Sequence, residues 1–384
     1  MGKNLREFQV FAKPVGPVCN LNCTYCYYLG KKQLYPNEEK FRMTDDLLEK
    51  YVIQHIQATT DDIITFSWHG GEPLLAGIDF YRKAVSFQKK HKPPQSVIKN
   101  GIQTNGTLLD DSWCSFFAAE GFTVGISIDG PDELHNLNRR TLANANTLTD
   151  VLNGYELLQK HGIVPEVLCV VNVENVKHPL SVYKFLKVHG PEYISFLPLV
   201  EPDPTSLSGV SKSSVPSKEF GVFLSMIFDE WVEKDIGMIK VQIFEEACRT
   251  AFDQDHTLCI FKSECGGVPV VEHNGDFYSC DHFVDNNHFL GNIEEHPLSY
   301  YLDCEKQKEF GKAKSLSLPK YCINCEVKPM CNGECPKNRI INTPDGEPGL
   351  NYLCSGYKHF FKHCSPFVEA IREAWKPPNP PRGA

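Results

Sequence analysis

The sequence predicts an α/β protein: a parallel sheet of six strands alternating with helices, followed by a smaller, cysteine-rich domain that contains a β-hairpin. Two observations carry this reading. Six short apolar runs recur along the first 200 residues, separated by amphipathic stretches of helical period. Beyond about residue 236 the composition shifts to cysteine and turn residues.

The strand candidates are residues 8–12, 63–68, 97–103, 123–128, 164–172 and 193–199. Between the first two, Thr44 is placed to cap a helix whose apolar face is Leu47, Leu48, Tyr51, Val52 and Ile56. The helix over Asp111 to Glu120 should stop at Gly121, which supplies the left-handed residue that helix ends favour. Strands alternating with helices imply a parallel sheet with helices packed outside it, and such sheets bind ligands beyond their carboxyl ends. Four turn-like segments fall there: His69-Gly70-Gly71-Glu72-Pro73, Gln103-Thr104-Asn105-Gly106, Ser127-Ile128-Asp129-Gly130-Pro131 and Pro198-Leu199-Val200-Glu201-Pro202. Singly, each reads as an ordinary βα turn. Residues 201–218, rich in Pro and Ser, mark a boundary, and a helix follows to about Asp235. The expected domains are 1–235 and 236–374, with a disordered proline-rich tail over 375–384.

Composition limits the function. With 384 residues, 41% apolar and 23% charged, the chain is an ordinary globular protein long enough for two domains. It shows neither a signal peptide nor a membrane-spanning apolar run. Sixteen cysteines without a secretory signal point to metal ligation in a reducing compartment, so a cytoplasmic location is expected. The net charge of -9, with no basic stripe, gives a nucleic-acid partner no footprint and suits a cationic substrate.

Cys19, Cys23 and Cys26 form a C-x3-C-x2-C loop directly after the first strand. Three thiolates can hold three irons of a 4Fe-4S cube and leave the fourth open for chemistry; a zinc knuckle short of a ligand, or reduced core thiols, are the plainer readings. Taken with the Gly-Gly-Glu-Pro loop and the other strand ends in this order, the chain resembles the radical S-adenosylmethionine (SAM) superfamily, whose fold is a partial (β/α)6 barrel. That resemblance implies that the open iron chelates SAM and splits it to a 5′-deoxyadenosyl radical. It implies further that Tyr25 and Gly71 line the SAM site, that Ser127 and Arg139 reach its ribose or carboxylate side, and that Val200 packs on the adenosine.

Downstream, Cys259-x5-Cys265 precedes two apolar runs joined by Asn274-Gly275, a hairpin signal for a type I′ turn, and the second run ends at Cys280. Cys322-x2-Cys325-x5-Cys331-x3-Cys335 and Cys354 complete a set of eight thiols, enough for two closed four-cysteine sites. Zinc competes with iron–sulfur for such corners. The pattern resembles the SPASM extension of radical SAM enzymes, which implies one auxiliary 4Fe-4S cluster on Cys259, Cys265, Cys280 and Cys335 and another on Cys322, Cys325, Cys331 and Cys354. Cys114, Cys169, Cys248, Cys304 and Cys364 are left without assigned chemistry.

From residue 9 to about 360 the chain is similar to anaerobic sulfatase-maturating enzymes, including Cys280-Asp281 and the run from Asp345 to Cys354. The resemblance makes Asp281 the general base. It implies oxidation of a peptidyl Cys or Ser to Cα-formylglycine, in an unfolded sulfatase segment of the form Cys/Ser-x-Pro/Ala-x-Arg, with a flavodoxin- or ferredoxin-type electron donor. Screening from water is expected to raise the Asp281 pKa. His69 stands where some relatives have Gln. The rival reading is a maturase that crosslinks ribosomally made peptides; many of those begin with a leader-binding domain, for which the short stretch before the first strand leaves no room.

Overall fold

A computed structural model describes residues 7–206 and 209–375, which fall into two compact units. The expected proline-rich tail lies outside the described residues except for Trp375, which ends a helix.

The first unit comprises Met1–Val170, Lys184–Glu192 and Glu264–Ala313. Its parallel strands are β1 (Phe11–Ala12), β2 (Ile63–Trp68), β3 (Val97–Thr104), β4 (Thr123–Ser127) and β5 (Glu166–Val171), paired in sequence order. The helix Asp45–Ala58 starts where expected: Thr44 Oγ1 accepts the Leu47 N–H at 3.2 Å, and Asp45 and Asp46 suit the positive end of the helix dipole. It stops at Thr59, whose hydroxyl donates back to the His55 carbonyl at 2.8 Å. Tyr51 of this helix meets Phe66 and Trp68 of β2 edge to face, and Tyr81 of the helix Ile78–His91 does the same to Trp68 from 5.5 Å. These fully buried rings hold the helices to the sheet, each worth on the order of 2–3 kcal/mol in buried apolar area. Helix Asp111–Glu120 ends at Gly121, φ +66°, as its sequence requires.

Three later strands extend the sheet on the other side of β1. β6 (Tyr193–Pro198) and β7 (Lys240–Val241) belong to the second unit, and β8 (Val270–Val271) returns to the first, running parallel to β1 with Phe11 opposite Val270. β9 (Asp276–Tyr278) pairs antiparallel with β8, and β10 (Phe289–Asn292) with β9. The hairpin is therefore present, but its turn is not type I′. Only Gly275 has positive φ (+89°), and the Glu272 N–H bonds to the Asp276 carbonyl at 2.9 Å. Asn274 stays on the ordinary side of φ because its side chain accepts the Asp276 N–H and donates to the Asp276 carboxylate.

The second unit comprises Val171–Tyr183, Tyr193–Ser263 and Lys314–Ala384. β6 and β7 pair in parallel. The helices Ser217–Lys234 and Cys354–Trp375 cross where both carry glycine: a Cβ on Gly356 would lie 2.0 Å from the Ser217 carbonyl oxygen, and one on Gly221 2.5 Å from that of Gly356. Phe220, Phe228 and Trp231 of the first helix meet Tyr357, Phe360 and Phe367 of the second edge to face. Among the described residues no helix is long and apolar enough to cross a membrane.

Candidate active site

In the first unit the cysteine loop leaves β1 through Lys13 and Pro14 and is held from both sides. The Asn22 N–H bonds to the Arg140 carbonyl and the Thr24 N–H to the Asn138 carbonyl, at 2.8 and 3.0 Å. From the end of β2, the Gly71 N–H donates to the Gly16 carbonyl and the Glu72 N–H to the Val18 carbonyl, both at 2.9 Å. Gly71 touches this backbone so closely that a Cβ would sit 2.1 Å from the Val18 oxygen. Cys19 Sγ receives the Leu21 N–H at 3.4 Å and the Asn105 side-chain amide at 3.8 Å. Burial pushes its pKa up to about 12, and Glu72, Cys23 and Cys26 add to the effect. Three thiols in one half-buried loop suit a cationic metal cluster that displaces their protons.

Glu72 of the Gly-Gly-Glu-Pro run is a buried strut. Its carboxylate accepts the Leu74 N–H (3.0 Å), the Thr104 hydroxyl (2.8 Å) and the Asn105 N–H (2.8 Å), tying the end of β2 to that of β3. Burial raises its pKa to about 7 against those three donors.

Beyond β4, Asp129 gathers two of the expected site residues, Tyr25 and Arg139, and sequence reasoning assigned it no role. Its buried carboxylate accepts the Tyr25 hydroxyl, Arg139 Nε at 2.9 Å and the Val170 N–H at 2.9 Å. A second Arg139 nitrogen lies 3.3 Å from its other oxygen. Arg139 and Tyr25 are thus fixed against each other beside the cysteine loop, with the guanidinium carbon 5.6 Å from the Tyr25 ring centre. Ser127 accepts the Gln103 amide at 3.1 Å.

Asp281 follows Cys280 just past β9, and its environment overturns one expectation. Burial does push its carboxyl up, but the Lys13 ammonium, His282, and hydrogen bonds from Lys13 and Tyr27 outweigh that and hold it well below the usual carboxylate range. Lys13 Nζ lies 2.5 Å from Oδ1 and the Tyr27 hydroxyl donates to Oδ2 at 2.6 Å. Sequence reasoning missed both partners. The available signal was a lysine ending an apolar strand run. His69, stacked on Phe11 at 3.8 Å, stands near the pair, and burial lowers its pKa to about 4. Cys265 and Cys280 belong to this unit too; the Gln307 amide bridges the carbonyls of their neighbours Gly266 and Ser279 at 3.0 and 3.1 Å.

In the second unit, Cys322, Cys325, Cys331 and Cys354 line one pocket with Val327 and Lys358. Burial raises Cys331 to about 12 and Cys354 to about 11, with neighbouring thiols adding to both. Zn–S bonds near 2.3 Å would bring four sulfurs within about 3.8 Å of one another. Among the described residues no three His, Cys, Asp or Glu side chains converge on one ion in that way, and a cubic cluster needs wider spacing. The Cys259 carbonyl is held by Lys314 Nζ at 2.9 Å, and Cys335 is buried, its carbonyl facing the Asn351 amide. Val200 is buried just past β6, where the Leu199 N–H bonds to the Val171 carbonyl. Cys114, Cys169 and Cys364 are buried like small hydrophobes.

Comparison with known proteins agrees with this geometry. Residues 14–186 match the Radical SAM superfamily, and residues 265–326 match the SPASM iron-sulfur cluster-binding domain. A serine-type anaerobic sulfatase-maturating enzyme of Bacteroides thetaiotaomicron is 43% identical over 96% of this chain and 92% of its own length. A cysteine-type enzyme of Clostridium perfringens is 31% identical over 92% and 95%. A solved structure described as native anSMEcpe with bound AdoMet and Cp18Cys peptide superposes with a TM-score of 0.86 at 31% identity, covering 96% of this chain and 99% of that one.

Proposed function

Because this chain belongs to the anaerobic sulfatase-maturating enzymes of the radical SAM superfamily, we propose that its cysteines hold three 4Fe-4S clusters and that Asp281 is its base. The enzyme oxidises a peptidyl Cys or Ser of a sulfatase to Cα-formylglycine. Cys19, Cys23 and Cys26 would hold the cluster that binds SAM, with Tyr25, Gly71, Ser127, Arg139 and Val200 around that ligand. Cys259, Cys265, Cys280 and Cys335 would hold one closed cluster, and Cys322, Cys325, Cys331 and Cys354 the other. The two family matches support a catalytic part over 1–235 and an auxiliary-cluster part over 236–374.

When bound, SAM and the clusters supply hydrogen-atom abstraction at the substrate Cβ and a path for the remaining electron. The protein's share is positional and acid–base. Asp281 takes the thiol or hydroxyl proton, and Lys13 and Tyr27 keep its carboxylate ionised and fixed. The observation that carries this reading is that carboxylate, held by two side chains of the unit that carries the three-cysteine loop. The substrate is read as an unfolded Cys/Ser-x-Pro/Ala-x-Arg segment in the cytoplasm, its arginine suited to an enzyme of net charge -9. Electrons would come from a flavodoxin- or ferredoxin-type donor.

The test is mass spectrometry of a short Cys-x-Pro-x-Arg peptide incubated anaerobically with SAM and reductant. Formylglycine replaces SH and H by a carbonyl oxygen. A product lighter by two hydrogens alone would instead mark a thioether crosslink and overturn the assignment.

A further inference from the structure

We propose that Lys13 is the positioning residue of the reaction: its ammonium fixes the Asp281 carboxylate where the substrate's thiol or hydroxyl is deprotonated. The proposal rests on the reading of Asp281 as the base and adds the group through which that base is set.

Lys13 follows β1, which is flanked on one side by β2 and on the other by β8, and its own N–H bonds to the Val271 carbonyl at 2.9 Å. The side chain is 2% exposed, yet it ends in a charge 2.5 Å from Asp281. Its course is fixed along the way. Nζ sits 3.6 Å from the centre of the Tyr28 ring, whose hydroxyl bonds to the buried Glu272. Glu272 in turn faces His273, which meets Glu38 at 2.9 Å. The lysine therefore rests on a braced aromatic face, and Asp281 lies at its tip.

A buried Lys–Asp pair is a poor way to gain stability, since apolar residues of the same volume do as well or better. Its use here is orientation. With the Lys13 ammonium drawn to the buried Oδ1 by charge and the Tyr27 hydroxyl donating to Oδ2, both oxygens are held, and Oδ2 keeps a second lone pair for another donor. The Asp281 side chain is 15% exposed while its Oδ1 is buried, so the Oδ2 side, beside Tyr27, is the one a peptide side chain can approach. His69, His282 and Tyr28 also face it.

The experiment compares Lys13→Met, Lys13→Arg, Asp281→Asn and the double variant Lys13→Met/Asp281→Asn in reconstituted enzyme. Lys13→Met should keep its iron and bind peptide within about threefold of wild type by calorimetry, while formylglycine turnover falls about 10- to 100-fold, the usual cost of losing a group that orients a functional one. The 5′-deoxyadenosine released per formylglycine should rise, which a general loss of folded enzyme would not produce. Lys13→Arg should recover part of the turnover. In the double variant the lysine should no longer matter, giving the rate of Asp281→Asn alone. This variant leaves no charge unpaired, so it decides the question even where Lys13→Met fails to fold. Wild-type turnover in Lys13→Met beside an inactive Asp281→Asn, or a further fall in the double variant, overturns the role of Lys13 and leaves the base standing. An active Asp281→Asn overturns the base itself, and the proposal with it.

Discussion

Replacing Gly71 by alanine adds one methyl group at the tightest backbone contact of the cysteine loop. The new Cβ would lie 2.1 Å from the Val18 oxygen, 2.5 Å from the Val18 carbonyl carbon and 2.8 Å from the Pro17 carbonyl carbon. Gly71 has no positive φ, so the penalty is one of space rather than of backbone conformation. Relief requires the two chains to part by roughly 1 Å, because every clashing atom is main chain and no side chain can swing away. The hydrogen bonds from Gly71 to Gly16 and from Glu72 to Val18 resist that movement. Overpacking of this kind costs about 1–3 kcal/mol of stability, and a 1 Å displacement of reacting groups costs on the order of 100-fold in rate. The assay is SAM cleavage and iron content after anaerobic reconstitution. Gly71→Ala should lose about 100-fold in cleavage while the auxiliary-cluster signals persist. Gly101→Ala is the control, since no atom lies within 4 Å of its new methyl. Equal SAM cleavage in the two variants would refute the claim that Gly71 is required for close approach to the loop.

Wild-type enzyme should hold about twelve irons, four for each cluster, and Cys23→Ala about eight with no SAM cleavage; zinc in place of four or more irons would remove an auxiliary cluster from the account. Gly356→Ala should lower the denaturation midpoint by the equivalent of about 1–3 kcal/mol, because its methyl meets the Ser217 carbonyl at 2.0 Å; an unchanged midpoint would show that the two helices separate freely. His55 is buried and accepts or donates only to Tyr51 and the Thr65 carbonyl, and burial lowers its pKa from 6.5 to about 4. The unfolded chain then binds its proton first as pH falls, so stability is intact above pH 6.5 and is lost toward pH 4. Between pH 7 and 5 this one group should cost about 2 kcal/mol, and His55→Gln should flatten the slope by that amount in anaerobic urea titrations; parallel slopes would show that His55 titrates normally in the fold.

What was legible in the sequence was local. The parallel strands declared themselves through short apolar runs, and Thr44 and Gly121 through the few residue types that helix ends accept. Cys19, Cys23 and Cys26 were legible because ligand spacing is itself a sequence property. The pairing of β8 with β1 was not, since residues of two strands far apart in sequence carry no mark of each other. The Asn274-Gly275 turn misled for a related reason: the dipeptide allows positive φ at both positions, and the bonds from Asn274 to Asp276 choose otherwise. The direction of the Asp281 shift failed most instructively. Burial alone predicts a raised pKa, and the deciding cation sits on the far side of the sequence, at Lys13.

The same long-range pair explains why a base should sit beside a cysteine at all. Asp281 directly follows Cys280, and Tyr27 directly follows Cys26, so the 2.6 Å hydrogen bond between them joins the residues next to two cysteines 254 positions apart. Lys13 reaches the same carboxylate from the strand that leads into the first of these loops. A shift of either cysteine segment therefore moves the base, and a shift of the base strains both segments. Charged anchors suit this better than apolar packing. The hydroxyl donor at 2.6 Å is directional and the ammonium 2.5 Å away holds the other oxygen by charge, so together they specify where each oxygen lies. An apolar contact of equal strength would leave the carboxylate free to turn. The burial cost of Lys13 thus goes into geometry at the one atom pair where a proton has to be received.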